Sequence, residues 1–284
     1  MKEKNEDWSL VIRPRSKLLS INLRELWSYR DLIRLFVRRD FVSTYKQTVL
    51  GPLWFFIQPV ISSLTFTVIF GGIAQLPTEG LPSMLFYMSG LISWGYFSEC
   101  LSRSSGTFTA NAGIFGKVYF PRLTVPISGV ISIMLKFLIQ FLLFLIFLAY
   151  YMINGADVNP NWAILLTPVF LILMAGLGLG SGIIISAFTT KYRDFSFLIG
   201  FGVQLLMYAS SVIYPLSEVT NEKYRLVMML NPMTPIIEGF RFAYLGAGTL
   251  SYPLLMYSAA FTVITLVVGS LIFTRVERTF MDTV

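Results

Sequence analysis

The sequence predicts an all-helical integral membrane protein, and three observations carry that prediction. Of 284 residues, 55% are hydrophobic and 13% are charged, where soluble domains carry about 25% charged residues. Apolar stretches recur along the chain, several of them near the roughly 20 residues a helix needs to cross a hydrocarbon core. Positive charge collects outside these stretches, with 11 of the 22 Lys and Arg in the first 46 residues. A soluble globule could not hide this much apolar surface behind so few charges.

The first 50 residues read as a separate segment. Around Ile21–Leu26, Asn22 suits an N-cap, Glu25 its reciprocal partner, and Ile21 with Leu26 a hydrophobic staple. From there to Lys46, helical spacing places Leu23, Leu26, Trp27, Ile33, Val37, Phe41 and Tyr45 on one face, interrupted by Arg30 and Arg34. That pattern predicts an amphipathic helix at the membrane interface, its arginines reaching for headgroups. A soluble basic tail is the alternative.

Residues 51–284 read as the membrane domain, with six spans at about 53–76, 82–102, 123–153, 162–190, 195–214 and 252–274. Pro59 and Gly71-Gly72 bend or fray the first. Between the fifth and sixth lie two apolar pieces too short to span, 224–230 and 236–245, separated by Asn231-Pro232-Met233-Thr234-Pro235. Asn231 or Thr234 can cap a helix that begins at Pro232 or Pro235. This predicts a re-entrant helical hairpin on the outer side, with a hairpin lying flat on the surface as the alternative. Six spans put both termini on one side. With the N-terminus inside, inner segments hold 18 Lys and Arg and outer segments three, Lys223, Arg225 and Arg241. Basic loops resist translocation, so both termini are expected in the cytoplasm.

The composition excludes several chemistries. With no His, catalysis, metal binding and proton relay through imidazole are absent. A single Cys, Cys100, permits neither an internal disulfide nor a cysteine zinc site, and reads as a small packing residue. Gly113–Val118 lacks the spacing and the hydroxyl residue of a phosphate-binding loop, so no ATPase motif is expected. No metal site and no bound cofactor are predicted.

Other residues suggest roles. The aromatic, basic loop Asn111–Arg122 suits docking of a cytoplasmic partner, or is a plain basic loop. Lys136 lies deep in the third span, where a charge is a functional candidate; it could snorkel, pair with Glu99 or face a polar conduit. Glu99 stands one turn before Arg103, which predicts an i,i+4 ion pair. Trp54, Phe56, Tyr87, Trp94, Tyr96 and Phe97 are conduit candidates, because aromatic faces suit sugars; a lipid-facing belt is the other reading. Gly176, Gly178, Gly180 and Gly182 form two small-xxx-small pairs, for packing within the chain or between subunits.

At Arg39-Asp40-Phe41-Val42-Ser43-Thr44-Tyr45-Lys46-Gln47-Thr48-Val49-Leu50-Gly51-Pro52-Leu53-Trp54, then Gln58-Pro59, the chain resembles one family. It is similar to the transmembrane subunits of ABC-2-type polysaccharide exporters: O-antigen, capsule and teichoic acid permeases. Lys117–Arg122 with Pro126, Lys191-Tyr192-Arg193-Asp194, and Asn231-Pro232 followed by Glu238-Gly239-Phe240-Arg241 agree with it. The stretch Val11-Ile12-Arg13-Pro14 looks most like the O-antigen type. The resemblance implies a homodimer beside two copies of a separate ABC ATPase, which binds ATP and Mg. It implies that Lys117, Val118, Tyr119, Phe120, Pro121 and Arg122 couple to that ATPase. It also implies that the outer hairpin, with Asn231, Pro232, Glu238 and Arg241, is a gate. The substrate implied is a polyprenyl-diphosphate-linked glycan crossing the bacterial inner membrane through an aromatic-lined channel.

Arg38, Arg39 and Lys46 lie at the inner mouth of the first span, where they could attract the anionic diphosphate, or simply anchor to lipid. Nucleic acid is not an expected partner. Two other classes fit less well. A membrane glycosyltransferase or acyltransferase needs clustered acids or His in a pocket. An ion-coupled carrier needs intramembrane acids and repeats. The nearest alternative is an ABC-2 exporter of another substrate: capsule, teichoic acid, lipid or drug.

Overall fold

The computed structural model describes residues 23–46, 49–192 and 194–279, and all regular structure among them is helical. The expected Asn22 cap, its Ile21 staple, Val11–Pro14 and Arg193 lie outside the described residues. Helix α1 (Leu23–Ser28) and α2 (Arg30–Tyr45) are separated at Tyr29. A 3-10 turn, Gly51–Leu53, leads into α3 (Trp54–Phe66). This helix widens into a π-helical turn at Thr67–Ile73, where Gly71-Gly72 were expected to fray it. Helix α4 (Ser83–Ser105) is followed after Gly106 by α5 (Thr107–Phe115). Then come α6 (Thr124–Ile153), the 3-10 turn Trp162–Leu166, α7 (Thr167–Lys191) and α8 (Phe195–Tyr208). Helices α9 (Glu222–Leu230), α10 (Thr234–Leu245) and α11 (Tyr252–Thr279) complete the order.

Among the described residues, four stretches are long and apolar enough to cross a membrane: Gly51–Ile73, Thr124–Ile153, Trp162–Lys191 and Tyr252–Glu277. They match the expected first, third, fourth and sixth spans. Helix α4 has the length, 23 residues, but Ser, Gly, Tyr and Trp dilute its hydropathy. It buries Leu85, Phe86, Met88, Ile92, Phe97 and Cys100 against neighbouring helices instead. Helix α8 ends at Tyr208, six residues short of the expected boundary, because Ser210, Ser211, Val212 and Ile213 leave the helix and turn into the protein interior. The sequence reading also had a loop where α5 stands. Asn111 and Gly113 look like helix breakers, yet Asn111 Nδ2 bonds the Thr107 carbonyl at 2.9 Å and stays within the helical turn.

The core depends on α7. Its glycines are divided between two neighbours. A Cβ on Gly178 or Gly182 would lie 2.5 Å from Cys100 Cβ or Ser104 Cβ of α4. One on Gly176 would lie 2.6 Å from Thr262 Cγ2, and one on Gly180 2.8 Å from the Leu266 nitrogen, both on α11. Missing side chains let three backbones touch, where dispersion contacts hold helices that lipid does not squeeze together. The glycine pairs thus serve packing within one chain.

At the end of the bundle that carries α2, Phe36, Phe108, Phe115, Phe120, Ile183 and Phe273 form a second cluster. Phe36 was absent from the expected apolar stripe. Phe36 is the buried residue of α2, with Leu32, Ile33 and Val37 half-buried beside it, so Ile33 and Val37 of the expected stripe face inward while Trp27 and Phe41 remain exposed. At the opposite end, residues 159–161 cap α10. Asn159 and Asn161 donate backbone N–H groups to Leu245 and Ala243, and Asn161 Nδ2 donates to Phe242 at 2.6 Å. These bonds satisfy the carbonyls a helix end leaves open. Gly246, at φ +77°, ends α10 in the left-handed conformation that glycine adopts without strain.

Gly180→Ala should lower stability by about 1–3 kcal/mol, the usual cost of overpacking, because its methyl meets backbone rather than a movable side chain. Gly200→Ala, which meets nothing within 4 Å, should not. Thermal unfolding of the two detergent-solubilised variants checks the difference.

Candidate functional site

Two polar constellations stand out, one at each end of the bundle. The first lies where α2 packs on α6 and reaches α4 through an ion pair. Asp40 accepts from Arg39 Nε at 3.1 Å and Nη2 at 2.9 Å, and from Arg103 Nη2 at 2.6 Å. Arg103 reaches Asp40 by lying across α6 at Gly129, where a Cβ would meet its Cγ at 2.9 Å. The expected Glu99–Arg103 pair is not made. Each residue takes a partner from another helix, Arg103 from α2 and Glu99 from α6, where Lys136 pairs with it. Lys136 lies about 18 Å along α6 from its start, and its ammonium is 5.9 Å from the Phe55 ring centre. A cleft of about 500 Å³ opens between these groups, lined by Asp40, Phe41, Phe55, Glu99, Arg103 and Lys136 among others. A smaller cavity of about 110 Å³ shares Glu99 and Lys136 and adds Gln58, Ser62, Tyr96 and Gln140. Arg38 and Lys46 are exposed on the same segment.

Residues 117–122 follow α5 as a short non-helical segment. Phe120 and Pro121 are buried, and Arg122 donates to the Glu277 carbonyl at 2.7 Å while its guanidinium sits 5.4 Å from the Phe115 ring. Lys117, Val118 and Tyr119 are exposed on this anchored base. The arrangement presents apolar and basic side chains on a buried base.

The second constellation holds α10. Arg241 has no exposed surface. Nη1 donates to the Ser211 carbonyl, Nη2 to Val212 at 2.9 Å and Phe86 at 3.5 Å, and Nε to Ser89 Oγ at 3.4 Å. The guanidinium lies 3.6 Å from the Phe86 ring centre, a cation–π contact. Gly90 makes the room, since a Cβ there would lie 2.7 Å from Nη2. Glu238, also buried, stands 3.6 Å from Arg241 and accepts from the Leu216 and Thr249 nitrogens, each at 3.3 Å. Burial draws the Arg241 pKa down, opposed by Glu238. Burial likewise raises Glu238, with Arg241 opposing. Asn231 Oδ1 accepts from the Met233 nitrogen at 3.0 Å, its amide donates to the Leu206 and Ala209 carbonyls, and the Pro232 carbonyl accepts from Ser258 Oγ at 2.7 Å.

The aromatic candidates separate by location. Trp54 is exposed and Phe56 half-buried. Tyr87, Trp94, Tyr96 and Phe97 are buried in the chain's own core, Trp94 against Phe97 at 5.2 Å and Tyr96 against Phe137 at 5.0 Å. Tyr96 alone of these four lines the smaller cavity. The roles of Phe36, Gly90, Gly129 and the Asp40–Arg103 tie escaped sequence reading, because each depends on a partner distant in the chain.

Residues 31–245 match the model of the ABC-2 type transporter family. The chain belongs to that family. It is 27% identical over 265 residues to the O-antigen export system permease protein RfbA of Myxococcus xanthus, covering 92% of this chain and 98% of the relative. A Klebsiella pneumoniae protein of the same name is 27% identical over 252 residues, covering 89% and 94%. The polysialic acid transport protein KpsM of Escherichia coli is 24% identical over 246 residues, covering 86% and 92%. The resemblance read from the sequence motifs therefore holds at the level of an ABC-2 permease with polysaccharide-exporting relatives.

Arg241→Gln should destabilise the protein by about 3–5 kcal/mol, because it leaves the Glu238 carboxylate buried without its charge partner. Adding Glu238→Gln should recover part of that loss, since the two changes are coupled. Unfolding of the purified single and double variants in detergent measures both.

Proposed function

We propose that this chain is the permease subunit of an ATP-driven transporter that exports a polyprenyl-diphosphate-linked, O-antigen-like polysaccharide across the bacterial inner membrane. The observation that carries this reading is end-to-end similarity to O-antigen export permeases, over about nine-tenths of both partners. The polysialic acid relative favours a second reading, export of a capsule-type polysaccharide.

In this reading α3, α4, α6, α7, α8 and α11 make six crossings, and residues 1–50 form an interface segment on the cytoplasmic side with both termini. α4 can cross despite its serines because protein, not lipid, surrounds most of it. The α9–α10 hairpin enters the membrane from the outer side and serves as a gate, seated by Arg241 and Asn231. The chain works as a homodimer. Support comes from α8, which buries none of its residues within the chain and leaves Phe197, Leu198 and Phe201 exposed, together with the exposed Ile61 and Leu64 of α3 and Val68 of the π-helical turn. Two copies of a separate ATPase, holding ATP and Mg, dock at Lys117–Arg122. Exposed Lys117, Val118 and Tyr119 on a buried base suit transmission of a push. Arg38, Arg39 and Lys46 gather the diphosphate at the inner mouth, and Trp54, Phe56 and Lys136 border the route of the sugar.

Depletion of the chain should accumulate lipid-linked glycan on the cytoplasmic side, measured by lipid extraction and by accessibility of the glycan to a membrane-impermeant glycosidase. Unchanged lipid-linked glycan would overturn the reading. Lys136→Met should reduce export about tenfold or more at normal expression, given the few kcal/mol that an intramembrane charge pair commands. Full export by that variant would remove Lys136 from the route.

A further inference from the structure

Asp40 carries more positive partners than one carboxylate neutralises. Arg39 and Arg103 both donate to it, and Lys136 and Glu99 share the same cleft. These named groups are three cations and two carboxylates. The burial is unequal: Asp40 is 13% exposed, while the Arg39 and Arg103 side chains are 42% and 54% exposed. Both guanidiniums therefore turn donors toward open space. Arg103 lines the 500 Å³ cleft on one side, and Arg39 and Arg103 together line a further cavity of about 380 Å³ on the other. Guanidinium forks match phosphate oxygens as well as carboxylate oxygens. The cleft also has a second character. Phe41, Phe55 and Ile133 line it together with Arg103 and Lys136. A wall of cations beside a wall of aromatic and aliphatic surface is what a phosphate group at the end of a hydrocarbon chain requires.

We propose that Asp40 is a built-in placeholder in an anion site formed by Arg39 and Arg103, and that the diphosphate headgroup of the lipid-linked substrate displaces it. The lipid source rests on the function proposed above; the anion site rests on the geometry. The exchange makes and breaks no covalent bond. Arg103 gives up Asp40 and takes a phosphate oxygen, and in doing so releases α2 from α4. Gly129 is part of the device, because its bare backbone lets the Arg103 stem cross α6 and reach either anion. Substrate arrival is thereby coupled to the ion pair between α2 and α4, while Phe36 keeps α2 seated in its aromatic cluster.

The test is binding of geranylgeranyl diphosphate to the full-length protein in zwitterionic nanodiscs. Arg103→Gln should weaken binding about tenfold, roughly the worth of one charge-assisted hydrogen bond. Asp40→Asn should tighten it about fivefold, because the internal competitor is gone. Asp40→Asn keeps the test sound if other variants fold poorly, since a damaged protein does not bind more tightly. A carboxylate that only ties two helices would give weaker or unchanged binding in Asp40→Asn, and that result overturns the placeholder. Inorganic pyrophosphate should bind more weakly than the prenyl compound; equal affinity overturns the lipid assignment. No binding by the wild-type chain would overturn the site and the diphosphate-linked substrate together. Wild-type binding that neither substitution alters would overturn the site alone and leave the export function standing.

Discussion

The fully buried Arg241 guanidinium is the constraint around which one end of the molecule is arranged. A charge in that position is tolerable only if every donor finds an acceptor and the charge finds a counter-ion. The protein meets the demand from four directions at once: the ring and carbonyl of Phe86, the hydroxyl of Ser89, the carbonyls of Ser211 and Val212, and the Glu238 carboxylate. Using the Ser211 and Val212 carbonyls requires that α8 stop early and the chain turn inward. Using Glu238 orders the Leu216 and Thr249 backbone. One side chain thus specifies the end of α8, the seat of α10 and the bare Gly90 surface of α4.

At the opposite end charge is handled differently. There the ion pairs are half exposed, and their worth lies in alignment more than in stability. Asp40 joins α2 to α4, and Lys136 joins α6 to α4. Helix α4 is therefore the common partner of both constellations. Its poor hydropathy follows from this, because a helix that must present Ser89, Gly90, Glu99 and Arg103 to its neighbours has few positions left for lipid.

Much of the fold was legible in the sequence, for identifiable reasons. Helices α6, α7 and α11 have long charge-poor windows, and no tertiary contact is needed to recognise them. The break at Asn231–Pro235 was legible because proline and asparagine act on the chain next to them. The 117–122 segment was legible as a unit, though not its anchoring by Phe120 and Arg122. What stayed hidden depends on distant partners. Glu99 and Arg103 are good helical neighbours, and local spacing favours pairing them; Lys136 as a partner for Glu99 was among the sequence readings, but Asp40 as the partner of Arg103 was not, because it comes from another helix into the same space. The glycine motif of α7 was visible, but not that it addresses α4 with one pair and α11 with the other. Phe36 was missing from the expected α2 stripe because it matters through Phe120, which no periodicity on α2 reveals.

The two-sided glycine contact of α7 has a consequence for how the chain comes to exist. Its partners are residues 83–105 and 252–279, so the three backbones that touch are separated by most of the polypeptide. Segments made early must wait in the bilayer, because α7 keeps one bare glycine face until α11 has been synthesised. Arg241 must likewise be threaded into its pocket after α4 and the turn at 210–213 are in place. Biogenesis is thus a process of deferred closure. The last helix described is a keystone rather than an appendage, and a ribosome that stops before residue 252 leaves a bundle with its central seam open.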